Sequence, residues 1–424
     1  MNAAYRETVK RLFALQFFGV KLGLSNITRL LNQLGDPIPA KTTVLVAGTN
    51  GKGSVSAMLA SIGKHAGLRT GLFTSPHLVS FTERIQINGE RIKQEEVVSL
   101  CERLWNFFPN LPQPQKAEQI TFFEMLTAMG ILYFQEQHVD LGVFEAGLGG
   151  RLDATNILKR DAVVLTDIAF DHVQYLGNTV AQIVAEKAAL MRAGIPVIAS
   201  GGLPGVNEHL EAHATEFGAQ LYLLGRDFAF TPHGSEIEVS FGSRRLTHLP
   251  VPLKGEHQYR NAALAVMTAM VLGIEDDTAI RSGLAATVWP GRLELFPGEP
   301  SWLLDCAHNP AGAETLAAAL EPHDPTIWLV GMMADKDVPG VLRVVAPRVS
   351  AIVCTNLKID RAIPAVRLGE FAAATDTPTH VEPEIEKAIE KARQLAGPHG
   401  RILVAGSIYL VGHIRGYLTG ETGP

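Results

Sequence analysis

The stretch Val44-Leu45-Val46-Ala47-Gly48-Thr49-Asn50-Gly51-Lys52-Gly53-Ser54-Val55 sets a lysine and a serine inside a glycine-rich turn. An apolar run of strand character precedes the turn and an amphipathic segment of helical character follows it. The chemistry this pattern serves is anion binding. Glycines let successive backbone N–H groups converge on a phosphate, and the helix N-terminus adds positive partial charge. Lys52 supplies a point charge for the outer phosphates, and Ser54 an oxygen for phosphate or a bound Mg²⁺. The pattern departs from the standard P-loop, because Val46 stands where the early glycine belongs and Gly53 separates Lys52 from Ser54. A plain turn is the structural alternative; the strand before, the helix after and the lysine within favour a nucleotide triphosphate site.

Other reactive side chains fall where apolar runs end. Glu145 closes the run Val139 to Phe144 and opens a glycine-rich loop, and Asp167 and Asp171-His172 follow the run ending at Thr166. A carboxylate at a neighbouring strand end is where a nucleotide-bound Mg²⁺ finds a protein ligand. Salt-bridge or capping duty is the alternative for Glu145 and His172, and their place beside the phosphate turn weighs against it. Lys187, in Ala185-Glu186-Lys187-Ala188, reads as an ordinary solvated helix residue, and sequence physics alone gives it no function. Further on, Leu304-Asp305-Cys306-Ala307-His308-Asn309-Pro310 ends a strand and starts a helix, so Asp305 and His308 can face a cleft. Asn309 as N-cap with Pro310 at the first helical position accounts for the local turn. Gly406-Ser407-Ile408-Tyr409 similarly follows the run Ile402 to Val404.

The elements that must position these groups can be read from periodicity. Residues 5 to 34 suggest two helices broken near Gly19 to Gly23, and Ser54 to His65 the helix behind the phosphate turn. Arg69 to Phe73 reads as a strand, and Arg84 to Ile92 as a hairpin around Asn88-Gly89. Pro109 to Pro114 reads as a loop, Thr121 to Gln137 and Val180 to Arg192 as helices, and Val139 to Phe144, Ala162 to Thr166 and Pro196 to Ala199 as buried strands. From Leu221 to Leu253 short alternating segments suggest a small antiparallel element, before an alanine-rich helix at Asn261 to Leu272. A Pro/Gly-rich stretch at Trp289 to Pro300 marks a boundary, with units expected at 1–293 and 294–424. The rhythm then restarts at Trp302 to Leu304, Ala311 to Leu320, Ile327 to Val330, Ala351 to Cys354 and Ile402 to Val404. The expected class is α/β: a P-loop-containing, doubly wound, mostly parallel sheet plus a smaller Rossmann-like α/β domain.

Composition narrows the function classes. With 424 residues, 46% hydrophobic and 19% charged, the chain can bury two cores. A formal net charge of −6 and the lack of a basic block argue against a nucleic-acid partner. Cys101, Cys306 and Cys354 lie far apart without metal spacing, which suits a reduced, cytoplasmic setting. No apolar run approaches the ~18 residues of a membrane helix, and Met1 to Leu15 lacks a signal-peptide core.

Together these motifs resemble folylpolyglutamate synthase, often bifunctional with dihydrofolate synthase in bacteria, within the Mur ligase superfamily. The resemblance is carried by Gly48 to Ser54, Thr74-Ser75-Pro76-His77-Leu78, Thr121-Phe122-Phe123-Glu124, Glu145 to Asn156, Asp171-His172 with Leu176-Gly177, Glu186-Lys187-Ala188, Gly291-Arg292 and Asp305 to Pro310. These follow one another over most of the chain, and the departures from the standard P-loop are usual in that family. The resemblance implies ATP-dependent amide formation. It carries ATP contacts onto Gly51, Lys52, Gly53 and Ser54, with Asn261, Arg292 and Asp305 closing over the nucleotide. It places Mg²⁺, two ions being expected, on Ser75, Glu145 and His172, implies a carbamylated Lys187, and gives catalytic roles to Lys52, His172 and Lys187. A pterin-bearing substrate would lie along Arg84, Thr121, Phe122, Phe123, Glu124, Leu152, Asp153 and Ala154, and incoming L-glutamate near His308 and Ser407. A monomer is expected, with small-molecule substrates only.

Two other readings compete. One is a peptidoglycan-type Mur ligase, but only 47 residues precede Gly48, too few for the extra N-terminal domain such ligases usually carry. The other is a non-catalytic nucleotide switch, which leaves Glu145, His172, Lys187, Asp305 and His308 without a shared purpose.

Overall fold

Val44 and Val46 enter one apolar core and Leu45 and Ala47 another, the period of two that a strand buried on both faces requires. The computed structural model describes residues 3–15, 23–107, 120–320 and 325–423. The expected loop at Pro109 to Pro114 and most of the break near Gly19 lie outside them.

Eight strands form the first sheet: β1 (Ala40–Ala47), β2 (Thr70–Phe73), β3 (Ile85–Ile87), β4 (Glu90–Arg91), β5 (Val139–Glu145), β6 (Ala162–Leu165), β7 (Pro196–Ala199) and β8 (Gln220–Leu223). Their order is β4-β3-β2-β5-β1-β6-β7-β8. β1 is central, parallel to β5 on one side and β6 on the other, with Val46 beside Glu145 and Ala47 beside Leu165. The chain leaves β1 toward β2 but later passes from β5 across to β6, so the winding reverses at β1. Ligands of such sheets bind outside the carboxyl ends of the strands at that point. Only the β2-β3-β4 edge is antiparallel, and Asn88 and Gly89, both at positive φ, make its expected hairpin turn.

Helices cover both faces. Phe122–Glu136, Val180–Ala188 and Val206–Phe217 close one core, while Lys52–His65, His257–Val271 and Asp277–Ala285 close the other. A three-stranded antiparallel sheet, β9 (Phe228–His233), β10 (Glu236–Phe241) and β11 (Arg244–Pro250), packs on the second core. The small antiparallel element therefore starts at Phe228, and the residues from Leu221 belong to the edge strand of the parallel sheet.

A third sheet follows: β12 (Glu294–Phe296), β13 (Ser301–Leu304), β14 (Thr326–Val330), β15 (Ala351–Cys354), β16 (Thr379–Val381) and β17 (Arg401–Ala405), ordered β12-β13-β17-β14-β15-β16. All pairs but β12–β13 are parallel. Trp328 and Val330 face one core and Ile327 and Leu329 the other. The α/β alternation thus gives a mostly parallel, two-faced sheet in each lobe, as expected.

Several bounds differ from periodicity for local reasons. The helix behind the phosphate turn begins at Lys52, two residues early, because the turn feeds straight into it. The alanine-rich helix begins at His257, its polar first turn being applied to the site instead of the core. Val180–Ala188 stops short of Arg192, and the N–H of Arg151 takes the carbonyl of Glu186 in its last turn. All three cysteines are buried and unpaired. Among the described residues, no helix is long and apolar enough to cross a membrane.

Candidate active site

The carboxyl ends of β1, β5 and β6 and those of β13, β14 and β17 border one cavity of about 850 Å³ between the lobes. On the first lobe the phosphate turn is braced from behind. Gly51, at φ 91°, lies so close to the helix His257–Val271 that a Cβ would stand 2.5 Å from Asn261 Oδ1. Asn261 Nδ2 donates to Gln258 Oε1 at 2.9 Å. Thr49 N–H donates to Asp167 O at 2.7 Å, tying the turn to the end of β6. The Lys52 ammonium donates to the carbonyls of Thr49 (3.0 Å) and Gly48 (3.3 Å).

Burial pulls the Lys52 ammonium below its ordinary value, against the raising charges of Glu145 and Asp171. The same burial raises Glu145, against the charge of Lys52 and a 3.0 Å hydrogen bond from the Ser75 N–H. Both shifts have one cause, scarce solvation, and it is what makes a triphosphate and a cation welcome between them.

Lys187 departs most from expectation. It is 2% exposed, and its Nζ donates to Gly48 O at 2.8 Å behind the phosphate turn. Burial, aided by the charge of Lys52, lowers its pKa to about 7. The expectation of a solvated lysine fails because the glycine loop 147–150 and the phosphate turn close over that helix face, a tertiary fact with no local signal. His172 adopts the left-handed conformation (φ 50°), with burial lowering its pKa to about 4. Its Nε2 lies 3.2 Å from Lys336 Nζ.

Arg84, Phe122 and Phe123 also border the cavity, with His77 and Phe81 packed behind them. The Arg84 guanidinium donates from Nε to His77 Nδ1 at 2.7 Å and lies 5.1 Å from the Phe122 ring centroid and 5.9 Å from that of Phe81. Burial lowers Arg84 to about 10, and burial with the Arg84 charge lowers His77 to about 3, so His77 is a neutral acceptor. Phe123 completes this aromatic wall.

Arg292 enters at the junction between the lobes, and from the second lobe come Asp305, His308 and Ser407. Asp305 accepts from the N–H groups of Leu293 (3.0 Å) and Ala307 (2.8 Å), fixing the strand-to-helix turn, and burial raises its pKa. His308 Nδ1 donates to Cys306 O at 2.8 Å, which aims Nε2 toward Asp171 of the first lobe, 3.4 Å away.

Most of the residues expected at a site border this one cavity: Gly51, Lys52, Gly53, Ser54, Ser75, Arg84, Phe122, Phe123, Glu145, His172, Asn261, Arg292, Asp305, His308 and Ser407. Six do not. Lys187 lies behind the turn. Thr121 and Glu124 form a capping box, with Thr121 N–H on Glu124 Oε2 (2.8 Å) and Glu124 N–H on Thr121 Oγ1 (3.2 Å). Asp153 accepts from the N–H groups of Gly147, Leu148 and Thr155, so it staples the glycine loop, and Leu152 and Ala154 flank it. Their side chains are engaged in holding the walls. Sequence reasoning overlooked Trp289 and Lys336, both at the cavity, and gave His77, quoted only as part of a motif, no role beside Arg84. Lys336 follows the carboxyl end of β14, so the rule that flagged Glu145 and Asp305 also points to it.

Among the described residues no three His, Cys, Asp or Glu side chains form a ready-made metal cage. Glu145, Ser75 and His172 nevertheless border the same cavity and could hold a cation there. A buried carboxylate, a hydroxyl and an imidazole kept neutral suit a hard divalent cation that completes its shell with phosphate oxygens and water.

Comparison with known proteins agrees with this geometry. Residues 46–269 match the Mur ligase middle domain, and residues 291–408 the Mur ligase glutamate ligase domain. The chain is 34% identical to the dihydrofolate synthase/folylpolyglutamate synthase of Bacillus subtilis, over 98% of this chain and 99% of that protein. The structure of E. coli FolC in complex with DHPP and ADP superposes with a TM-score of 0.89 at 31% identity, covering 97% of this chain and 98% of that one. A bifunctional folylpolyglutamate synthase/dihydrofolate synthase with Mn, AMPPNP and L-Glutamate bound superposes with a TM-score of 0.86 at 32% identity, covering 97% and 98%.

Proposed function

The chain belongs to the Mur ligase family, among the dihydrofolate synthases/folylpolyglutamate synthases, and from that premise we propose that it joins L-glutamate to a folate-type carboxylate using ATP. One observation carries the reading. A single cavity is bounded by a phosphate turn with Lys52 on one lobe and by Asp305, His308 and Ser407 on the other. A nucleotide switch has no use for the second set. The units proposed to act together are 1–293 and 294–424, within a cytoplasmic monomer, since one chain completes the cavity.

ATP is assigned to Gly51, Lys52, Gly53 and Ser54, with Asn261, Arg292 and Asp305 around the nucleotide. Ser75, Glu145 and His172 would hold a divalent cation, which neutralises phosphate charge when bound. The acid is held along Arg84, Phe122 and Phe123, with Thr121, Glu124, Leu152, Asp153 and Ala154 supporting that wall. Its carboxylate oxygen attacks the γ-phosphorus, ADP leaves, and an acyl phosphate forms. The glutamate amine, placed by His308 and Ser407, then attacks the carbonyl carbon, loses a proton, and phosphate departs. Lys52 and Arg292 stabilise charge on the transferring phosphoryl group.

Carbamylation of Lys187 is part of the proposal. With a pKa of about 7, much of the amine is neutral near neutrality and can add to CO₂ with loss of a proton. The carbamate would offer anionic oxygens to a second cation. Native mass spectrometry should find the mass of one CO₂ on the parent and not on Lys187→Ala, and short-chain carboxylic acids should partly restore that variant. The whole reading is tested by glutamate-dependent ADP formation with dihydropteroate and with tetrahydrofolate as acids. Turnover with either supports it, and glutamate-independent hydrolysis with both refutes it.

A further inference from the structure

The two lobes touch in two different ways. At one end of the cavity, the helix Ile408–Thr419 lies on the backbone of the Leu78–Ser80 loop; a Cβ on Gly412 would stand 1.9 Å from Leu78 O. Contact that close leaves no side chain to rearrange, so this end behaves as a pivot. At the other end side chains reach across from one lobe to the other. Lys336, after β14, donates from Nζ to Asp171 Oδ1 at 2.6 Å. Asp171, after β6, also accepts from Asn309 Nδ2 at 3.0 Å, and that amide reaches Asn50 Oδ1 of the phosphate turn at 3.1 Å.

The Asp171–Lys336 pair is buried, with side-chain exposures of 10% and 8%. Burial by itself would raise Asp171, but His308, Lys336 and His172 hold it far below the usual carboxylate range. Such a pair forms only while the lobes are together. When they part, both groups regain water, so the pair can break without a stranded charge. If one partner is removed, the other is left buried and uncompensated whenever the lobes meet. The ligase chemistry assigned to the cavity does not otherwise use Asp171 or Lys336.

We propose that Asp171 and Lys336 are positioning residues forming a latch that keeps the second lobe over the cavity while the activated acid awaits the amine. The proposal rests on the ligase reading. An acyl phosphate exposed to water is hydrolysed: water adds across the mixed anhydride and returns the carboxylic acid and inorganic phosphate, with no amide made. The latch accordingly sets how many phosphates are released for each glutamyl product.

The test compares the parent with Lys336→Met, Lys336→Arg and the isosteric Asp171→Asn, each confirmed folded by thermal melting. Two quantities are read: phosphate released per glutamyl product, and the radius of gyration by small-angle scattering with AMPPNP and Mn²⁺. A latch predicts that Lys336→Met and Asp171→Asn shift the closed-to-open ratio by about tenfold, equivalent to ~1.4 kcal/mol. Both variants should then have a larger radius and release several phosphates per product, the excess growing as glutamate is lowered. Lys336→Arg should return both readouts toward the parent. Slower turnover at one phosphate per product overturns the latch, whatever the radius does. Should the parent make no product at all, the ligase reading fails, and the radius alone decides the latch: equal radii overturn it.

Discussion

Replacing Lys187 by methionine should stabilise the protein while destroying its activity, and the size of the gain follows from its burial. The Lys187 ammonium falls from 10.5 to about 7 because burial, with help from Lys52, disfavours its charge. The unfolded chain keeps the ordinary value, so between about pH 7 and 10.5 it binds the extra proton, and stability rises with pH across that window. As pH falls through the window a penalty accumulates, reaching about 4 kcal/mol at pH 7. Lys187→Met removes that penalty and gives up the hydrogen bond to Gly48 O, worth ~1 kcal/mol. The variant should therefore be more stable by about 3 kcal/mol near pH 7. At about pH 9.5 the penalty shrinks to roughly 1 kcal/mol, and the two proteins should unfold at nearly the same urea concentration. The assay is urea unfolding in CO₂-free buffer at both pH values. Parallel pH profiles for the two proteins would show that Lys187 is not a buried, depressed amine. Added bicarbonate should then stabilise the parent alone, because a ligand bound only by the folded state shifts the equilibrium.

Three further outcomes test other parts of the site. Lys52→Ala should abolish ATP-dependent product formation and leave the melting profile intact; normal turnover contradicts the phosphate assignment. Arg84→Met should raise the KM for the pteridine acid at least about tenfold, ~1.4 kcal/mol, with the KM for ATP unchanged; an equal rise in both separates Arg84 from the acid. Thr121→Ala should destabilise by ~1 kcal/mol through the lost cap without altering kcat or either KM; a changed KM for the acid would return Thr121 to direct contact.

The legible part of the site is the part that strand ends encode. Gly48 to Ser54, Glu145, Asp305 and Ser407 each follow an apolar run, and a parallel sheet delivers such positions to one edge. His172 and Asn261 come to that edge on a loop and a helix face. What stayed hidden depends on elements distant in sequence. Lys187 looks like a surface lysine until the glycine loop and phosphate turn pack over it. Arg84 meets His77 for a local reason instead: the two are seven residues apart, and the single turn Phe81–Arg84 folds the guanidinium back onto the imidazole. Thr121 and Glu124 were readable as a cap, since Thr-x-x-Glu before an apolar run is its signature. Family resemblance drew them to the substrate instead. The helix from His257 also began earlier than periodicity shows, because its first turn carries polar residues toward the cavity.

The central claim is that the acid's own carboxylate oxygen becomes part of the released phosphate. The most direct test supplies a folate-type acid with ¹⁸O in the terminal carboxyl, together with ATP and L-glutamate, and analyses the inorganic phosphate by mass spectrometry. The account predicts one ¹⁸O in the phosphate for every amide formed. Phosphate free of label alongside labelled amide would mean that no acyl phosphate is made, and the account would be wrong.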